Sequence, residues 1–177
     1  MALSRQHVLP GLVVALTAGL LYTSWPAFRD TSAPAVQVGD EAPEFTLMSD
    51  GGRPVQLKDF QGKFLILNFW ATWCPPCVEE LPSLNRFSQR FSQQDVVVLG
   101  VSVDLDGGAY QKFLQAAGVK FPTVRDPERK TSRLYGTFKF PESYFIDRKG
   151  KVVQKIAGPA DWNDPEIVAL MEQLLRG

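Results

Sequence analysis

Cysteine and histidine are nearly absent from this 177-residue chain, which has two of the first and one of the second. The single imidazole is His7, close to the amino terminus, so a Cys/His metal site has no ring nitrogen to use and no metal is expected. Two cysteines also exclude the multi-disulfide framework that holds many small exported domains together. An excess of charge is missing too: 19 Lys and Arg balance 19 Asp and Glu, for a formal net charge of zero. Nothing in that balance suits a polyanion, and no nucleic-acid partner is expected. No internal repeat is visible. What is present is 45% hydrophobic residues against 21% charged ones, the composition of a compact domain.

Charge is absent over one long stretch in particular. Between Gln6 and Phe28 there is no Asp, Glu, Lys or Arg, and about 20 apolar residues suffice to cross a bilayer. The apolar heart, Val8 to Tyr22, follows Arg5 and the amino terminus, an arrangement that keeps the amino terminus inside. The expected organisation is a membrane anchor or signal segment over 1–28, a linker over 29–37 and one domain over 38–177. Ala33-Pro34-Ala35 has the small-x-small look of a signal cleavage site. It lies far past the apolar core and contains a proline, so an uncleaved single-pass anchor is the stronger expectation. Either way the domain is exported, as an extracytoplasmic or periplasmic domain at a bacterial cytoplasmic membrane. No cysteine follows the apolar run, so lipid modification there is unsupported. The remaining roughly 140 residues suit a single core.

Both cysteines lie in Trp70-Ala71-Thr72-Trp73-Cys74-Pro75-Pro76-Cys77. A bond between residues three apart closes a very small loop, removes little chain entropy and is a poor staple. Reversible redox chemistry is the better use. The surrounding pattern alternates strands and helices. Strands are expected at Phe45–Met48, Val55–Leu57, Phe64–Phe69, Val96–Val103 and Phe121–Val124. Ser143–Asp147 and Lys151–Ile156 flank the turn Arg148-Lys149-Gly150 as a hairpin. Helices are expected from Cys74 onward through Leu81, Leu84, Phe87 and Phe91, over Tyr110–Ala117 closed by Gly118, over Glu128–Tyr135, and over Pro165–Leu175 capped by Asp164. This order predicts an α/β sandwich with a central mixed sheet.

A cysteine at a strand-to-helix junction faces unpaired backbone N–H groups and the positive end of the helix dipole, which favour thiolate. Cys74 occupies that place and is expected to be the attacking nucleophile, with Cys77, one turn in, resolving the mixed disulfide. The intervening Pro75-Pro76 modifies this. Neither proline has an N–H, so the first helix donor is that of Cys77. The thiolate should be less stabilised than in other C-x-x-C sites, giving a reducing dithiol rather than a strong oxidant with a thiol pKa near 3.5. The reactive element is the cysteine pair itself, and no separate cofactor is expected. Glu80, one turn after Cys77, could accept its proton, or be an ordinary acid near a helix N-terminus, as Glu79 is read. Pro82 is expected to kink the helix.

Gly39-Asp40-Glu41-Ala42-Pro43-Glu44-Phe45-Thr46-Leu47, then Asn68 to Cys77 with Glu80 and Pro82, then Pro141-Glu142-Ser143-Tyr144-Phe145-Ile146-Asp147, together resemble the TlpA/ResA family of membrane-anchored thioredoxin-like oxidoreductases. The resemblance implies a thioredoxin-like fold with an added N-terminal β-hairpin and a central insertion. It further implies an extracytoplasmic thiol-disulfide oxidoreductase that reduces protein disulfides, such as those of apocytochrome c during cytochrome c maturation, with electrons from a transmembrane thiol donor. By the same resemblance Pro141 matches the fold's cis-proline, leaving the Phe140 backbone to pair with substrate. Trp73, Pro75, Pro76, Phe140, Pro141 and Glu142 become the expected substrate-binding positions. Glu142 also has a blander reading as a solvated strand residue. Asn68 stands where thioredoxins carry a buried Asp, and Lys139 replaces a small residue often found two before the cis-proline. A peroxiredoxin shares the Ala-Pro-x-Phe-x-Leu start, but its Thr-x-x-Cys is absent, since Ala71 and Cys74 occupy the threonine positions. A copper module of the same fold would need His or Met beside the cysteines, and the domain offers only Met48 and Met171. A non-catalytic binding domain is the remaining alternative.

Overall fold

The structure, a computed structural model, describes residues 35–49 and 51–176. The expected anchor over 1–28 and most of the linker lie outside the described residues. Among the described residues no helix is long and apolar enough to cross a membrane.

The fold is organised around β3, Phe64–Trp70, a strand whose seven residues are all buried. A continuous apolar run of this length suits a strand covered on both faces. It pairs in parallel with β4 (Val96–Ser102) and antiparallel with β6 (Glu142–Ile146). β4 continues in parallel to β5 (Thr123–Arg125), which meets the N-terminal hairpin of β1 (Thr46–Met48) and β2 (Pro54–Gln56). On the other side β6 pairs antiparallel with β7 (Val152–Ala157). The result is one mixed sheet in the order β2-β1-β5-β4-β3-β6-β7.

Helices cover both faces because β3 alternates its side chains between them. Phe64, Ile66 and Trp70 pack with Leu81, Leu84, Phe87 and Phe91 of α1 (Pro75–Phe91) and Met171 of α4 (Pro165–Arg176). Leu65, Leu67 and Phe69 pack into the opposite core with Leu99, Val101, Tyr135 and Tyr144. Asn68 is the polar member of the first set and is fully buried.

The expected thioredoxin-like sandwich is present, with its N-terminal hairpin. The pair α2 (Gly107–Ala117) and β5, inserted between β4 and α3 (Lys130–Leu134), supplies the central insertion. Several boundaries move for local reasons. Helix α2 starts three residues before Tyr110 because the Asp106 carboxylate accepts hydrogen bonds from the backbone N–H of Gly108 and Ala109. Helix α3 is shorter than Glu128–Tyr135 because Asp126 caps it, accepting from the N–H of Lys130 and Ser132. Leu57 opens a 3-10 turn rather than ending a strand. Helix α1 runs uninterrupted across Pro82. Gly118, with φ +61°, closes α2, and the Asp164 carboxylate accepts from the N–H of Glu166, both as expected.

The chain enters the domain beside the carboxyl end of α3, where the Val36 N–H donates to the Tyr135 carbonyl. The adjoining Gly136 has φ +74°, and a Cβ there would come within 2.4 Å of the Ala35 Cα. Gly136→Ala therefore combines left-handed strain with a backbone collision. It should destabilise the domain by about 2–4 kcal/mol, readable as a lowered urea midpoint without a change in m.

Candidate active site

Strand β3 ends at Trp70, and four residues later α1 begins with Cys74 as its N-cap. Cys74 adopts an extended backbone, and its carbonyl accepts from the Val78 N–H at 3.1 Å. Pro75 and Pro76 fill the first two helical positions, so two amides that would have faced the cap are missing. Cys74 and Cys77 are joined in a disulfide. Cys74 keeps 6% of its surface exposed and Cys77 none, the order expected for an attacking and a resolving sulfur.

The Phe140–Pro141 peptide bond is cis, as the resemblance implied, and it faces the disulfide across the sheet end. The Phe140 carbonyl oxygen lies 3.6 Å from Cys74 Sγ. In the oxidised form this is a contact only, since neither sulfur carries a proton. Once the pair is reduced, the carbonyl can accept from a Cys74 S–H but not from a thiolate, and so favours the thiol. Below it runs a groove of about 510 Å³ lined by Gly136, Phe138, Lys139, Pro141, Ala157 and Gly158. Trp73, 57% exposed, sets its ring edge-on to Phe140, centroids 6.2 Å apart.

On the helix side, Glu80 is 4% exposed and points back at the sheet. Its carboxylate accepts from Asn68 Nδ2 at 2.9 Å and from the Ala160 N–H at 3.1 Å. Asn68 Nδ2 also donates to Ser143 Oγ, while Asn68 Oδ1 has no partner. Burial raises the Glu80 pKa above the ordinary carboxylate range, and the bonds from Asn68 and Ala160 only partly offset this. The nearby Trp162 indole N–H adds a further pull in the same lowering direction without forming a full hydrogen bond. A cleft of about 390 Å³, lined by Glu79, Pro82, Arg86 and Asp161, opens Glu80 to solvent. Asn68 and Glu80, twelve residues apart in sequence, thus form a buried hydrogen-bonded pair that ties β3 to α1.

Glu142 is not the solvated strand residue of its blander reading. Its carboxylate pairs with Lys155 Nζ at 2.9 Å and accepts from the Tyr144 hydroxyl at 3.1 Å and from Thr137 Oγ1. With partners on three sides, it braces the strand that follows the cis-proline. Two further residues escaped the reading of the sequence. Asp104, buried at the end of β4, accepts from the backbone N–H and hydroxyl of Thr72 and from Ser102 Oγ, and so pins the loop ahead of Cys74. Arg129 lies over both Trp73 and Phe140. A buried Asp at a strand end was the available signal for the first; nothing local marks the second.

A cysteine pair at a strand-to-helix junction, opposite a cis-proline in this sheet, defines a thioredoxin-fold thiol-disulfide oxidoreductase. Comparison with known proteins agrees. The sequence profile of the AhpC/TSA family matches residues 38–155. The thiol-disulfide oxidoreductase ResA of Bacillus thuringiensis (strain Al Hakam) is 37% identical over 147 residues, covering 83% of this chain and 84% of that protein. ResA of Bacillus subtilis (strain 168) is 32% identical over 154 residues, covering 87% and 86%. Among solved structures, a Chlorobium tepidum chain assigned as a thiol:disulfide interchange protein DsbE superposes with a TM-score of 0.74 at 33% identity, covering 80% of this chain and 99% of that one. The chain belongs to the AhpC/TSA family, among its ResA-like thiol-disulfide oxidoreductases.

The raised pKa of Glu80 has a thermodynamic consequence. Between its unfolded and folded pKa values the folded state holds more protons than the unfolded one, so stability falls as pH rises through that window. Stability from this group is fully present below the unfolded value and lost above the folded one. Glu80→Gln removes the titration. Urea unfolding of both proteins across pH 4 to 8, values spanning the ordinary carboxyl pKa of about 4.3, should show the wild type losing stability relative to the variant as pH rises; parallel curves would contradict the assignment.

Proposed function

We propose that this chain is an extracytoplasmic disulfide reductase that donates electrons through Cys74 and Cys77 to protein disulfides, those of apocytochrome c during cytochrome c maturation being the favoured clients. The observation that carries the reducing direction is the setting of Cys74: two prolines where amides would stabilise a thiolate, and the Phe140 carbonyl oxygen 3.6 Å from its sulfur. A poorly stabilised reduced thiolate makes a dithiol a reductant. The client class and the membrane-bound location rest on the TlpA/ResA resemblance and on the uncharged segment between Gln6 and Phe28.

The reaction begins with the reduced pair. A client segment lies along the groove, its backbone paired with Phe140 beside Pro141, and brings one disulfide sulfur to Cys74. The Cys74 thiolate attacks that sulfur; the client S–S bond breaks, its second sulfur leaves as thiolate and takes a proton. Cys77 then loses its proton to Glu80 and attacks Cys74 Sγ, which breaks the mixed disulfide and releases the client's first sulfur. Two electrons have passed to the client, and the chain is left as the Cys74–Cys77 disulfide. A dithiol of a transmembrane donor returns it to the starting state. Trp73 covers the reacting sulfurs, and Pro75 and Pro76 contribute the apolar shoulder of the helix start.

Cys77→Ser stops the cycle at the mixed disulfide. Mass spectrometry of proteins held on Cys74 in such cells should return apocytochromes; capture of unrelated folding proteins would instead indicate general disulfide handling. The isolated pair should equilibrate with glutathione or dithiothreitol buffers at a potential nearer the roughly −270 mV of a reductant of this fold than the roughly −120 mV of a strong oxidant. A value at the oxidising end would overturn the direction of electron flow.

A further inference from the structure

Arg129 holds the only charge set directly against the aromatic entrance to Cys74, among the described residues. Its Cζ lies 5.8 Å from the Trp73 ring centroid and 6.0 Å from that of Phe140, so the guanidinium is gripped by both rings. Phe140 is the residue whose carbonyl reaches Cys74 Sγ, and Trp73 is the neighbour of Cys74 in the chain. The backbone of Arg129 is fixed independently. Among the described residues it is one of two non-glycine residues with positive φ, at +55°, a conformation that a residue of this kind adopts only when its surroundings impose it. Its N–H donates to the Asp126 carbonyl, and its own carbonyl accepts from Arg133 and Ser132.

The guanidinium forms no ion pair among the described residues, although acids stand nearby. Glu128 is taken by Lys130, Glu142 by Lys155, and the Asp126 carboxylate by two backbone amides. Lys139, on the groove beside Phe140, is likewise outside every ion pair found among the described residues. The face around Cys74 therefore offers apolar rings and uncompensated positive charge. A guanidinium that is already oriented presents a planar fork of donors to a carboxylate at small entropic cost.

We infer that Arg129 is a specificity-determining contact for the client: it receives an Asp or Glu carboxylate within about three residues of the client's reactive cysteine, a reach set by roughly 3.3 Å per residue of extended chain. This rests on the proposal that Cys74 reduces a bound polypeptide. Arg129 acts on capture of the client, and the thiol chemistry remains that of Cys74 and Cys77.

The test uses the full chain, reduced and held in detergent, with two synthetic peptides that carry one intramolecular disulfide and differ only in Glu or Gln beside the first cysteine. The quantity read is the ratio of their second-order reduction rates, in which any effect of a substitution on the cysteines cancels. Wild type should favour the Glu peptide by about threefold to tenfold at low salt, less as salt is added. Arg129→Gln should bring the ratio close to one, and Arg129→Lys, which keeps charge but loses the fork, should fall between. Lys149→Gln, at the far end of the sheet, should keep the wild-type ratio. Equal rates on both peptides in wild type overturn the inference while leaving the reductase reading intact. A wild-type ratio that survives in Arg129→Gln also overturns it and points to Lys139. Failure of the wild type to reduce either peptide defeats the reductase reading, and the inference with it.

Discussion

Burial of β3 on both faces is the constraint on which everything else in this molecule depends. Its backbone is committed to β4 on one side and β6 on the other, and its side chains to two separate cores. A strand so held ends at a defined point, and the loop that leaves it must turn at once into α1. Asp104 takes the Thr72 amide and hydroxyl and removes the remaining freedom of that turn. The position of Cys74 is thus a consequence of hydrophobic burial further down the same strand.

The same strand brings the chemistry of the second cysteine within reach. Asn68 occupies an inward position on the face of β3 that carries Ile66 and Trp70. It binds Glu80, whose burial disfavours the ionised form and whose bond from Asn68 offsets part of that cost. The missing amides of Pro75 and Pro76 and the Phe140 carbonyl beside Cys74 leave its sulfur with little to stabilise a thiolate. Each effect is modest, and they point in one direction. The Arg129 guanidinium lies over the rings of Trp73 and Phe140.

Much of this was legible in the residue order because the relevant interactions are local. The seven-residue apolar run, the C-x-x-C that follows it and the helical spacing from Leu81 to Phe91 all lie within one stretch of chain. The cis bond at Pro141 came only through the family resemblance, since proline alone does not specify it. Glu142 was misread in one of its two readings because Lys155 reaches it from the neighbouring strand and Thr137 from the preceding loop, joining Tyr144 of its own strand. The cap by Asp106 was missed for a different reason: it sits in a polar cluster that reads as loop throughout.

Residue order alone settled the reactive unit, its strand-to-helix setting and the α/β class, because hydrophobic period, helix capping and the chemistry of vicinal cysteines act over a few residues. Folding decided which groups surround that unit. Pro141 and the Phe140 carbonyl arrive from sixty-odd positions away through the β3–β6 pairing. Arg129 arrives from a short helix whose placement depends on Asp126 and the sheet beneath it. Such contacts are set by strand order and by the packing of two cores, and neither is written in any short segment of the chain.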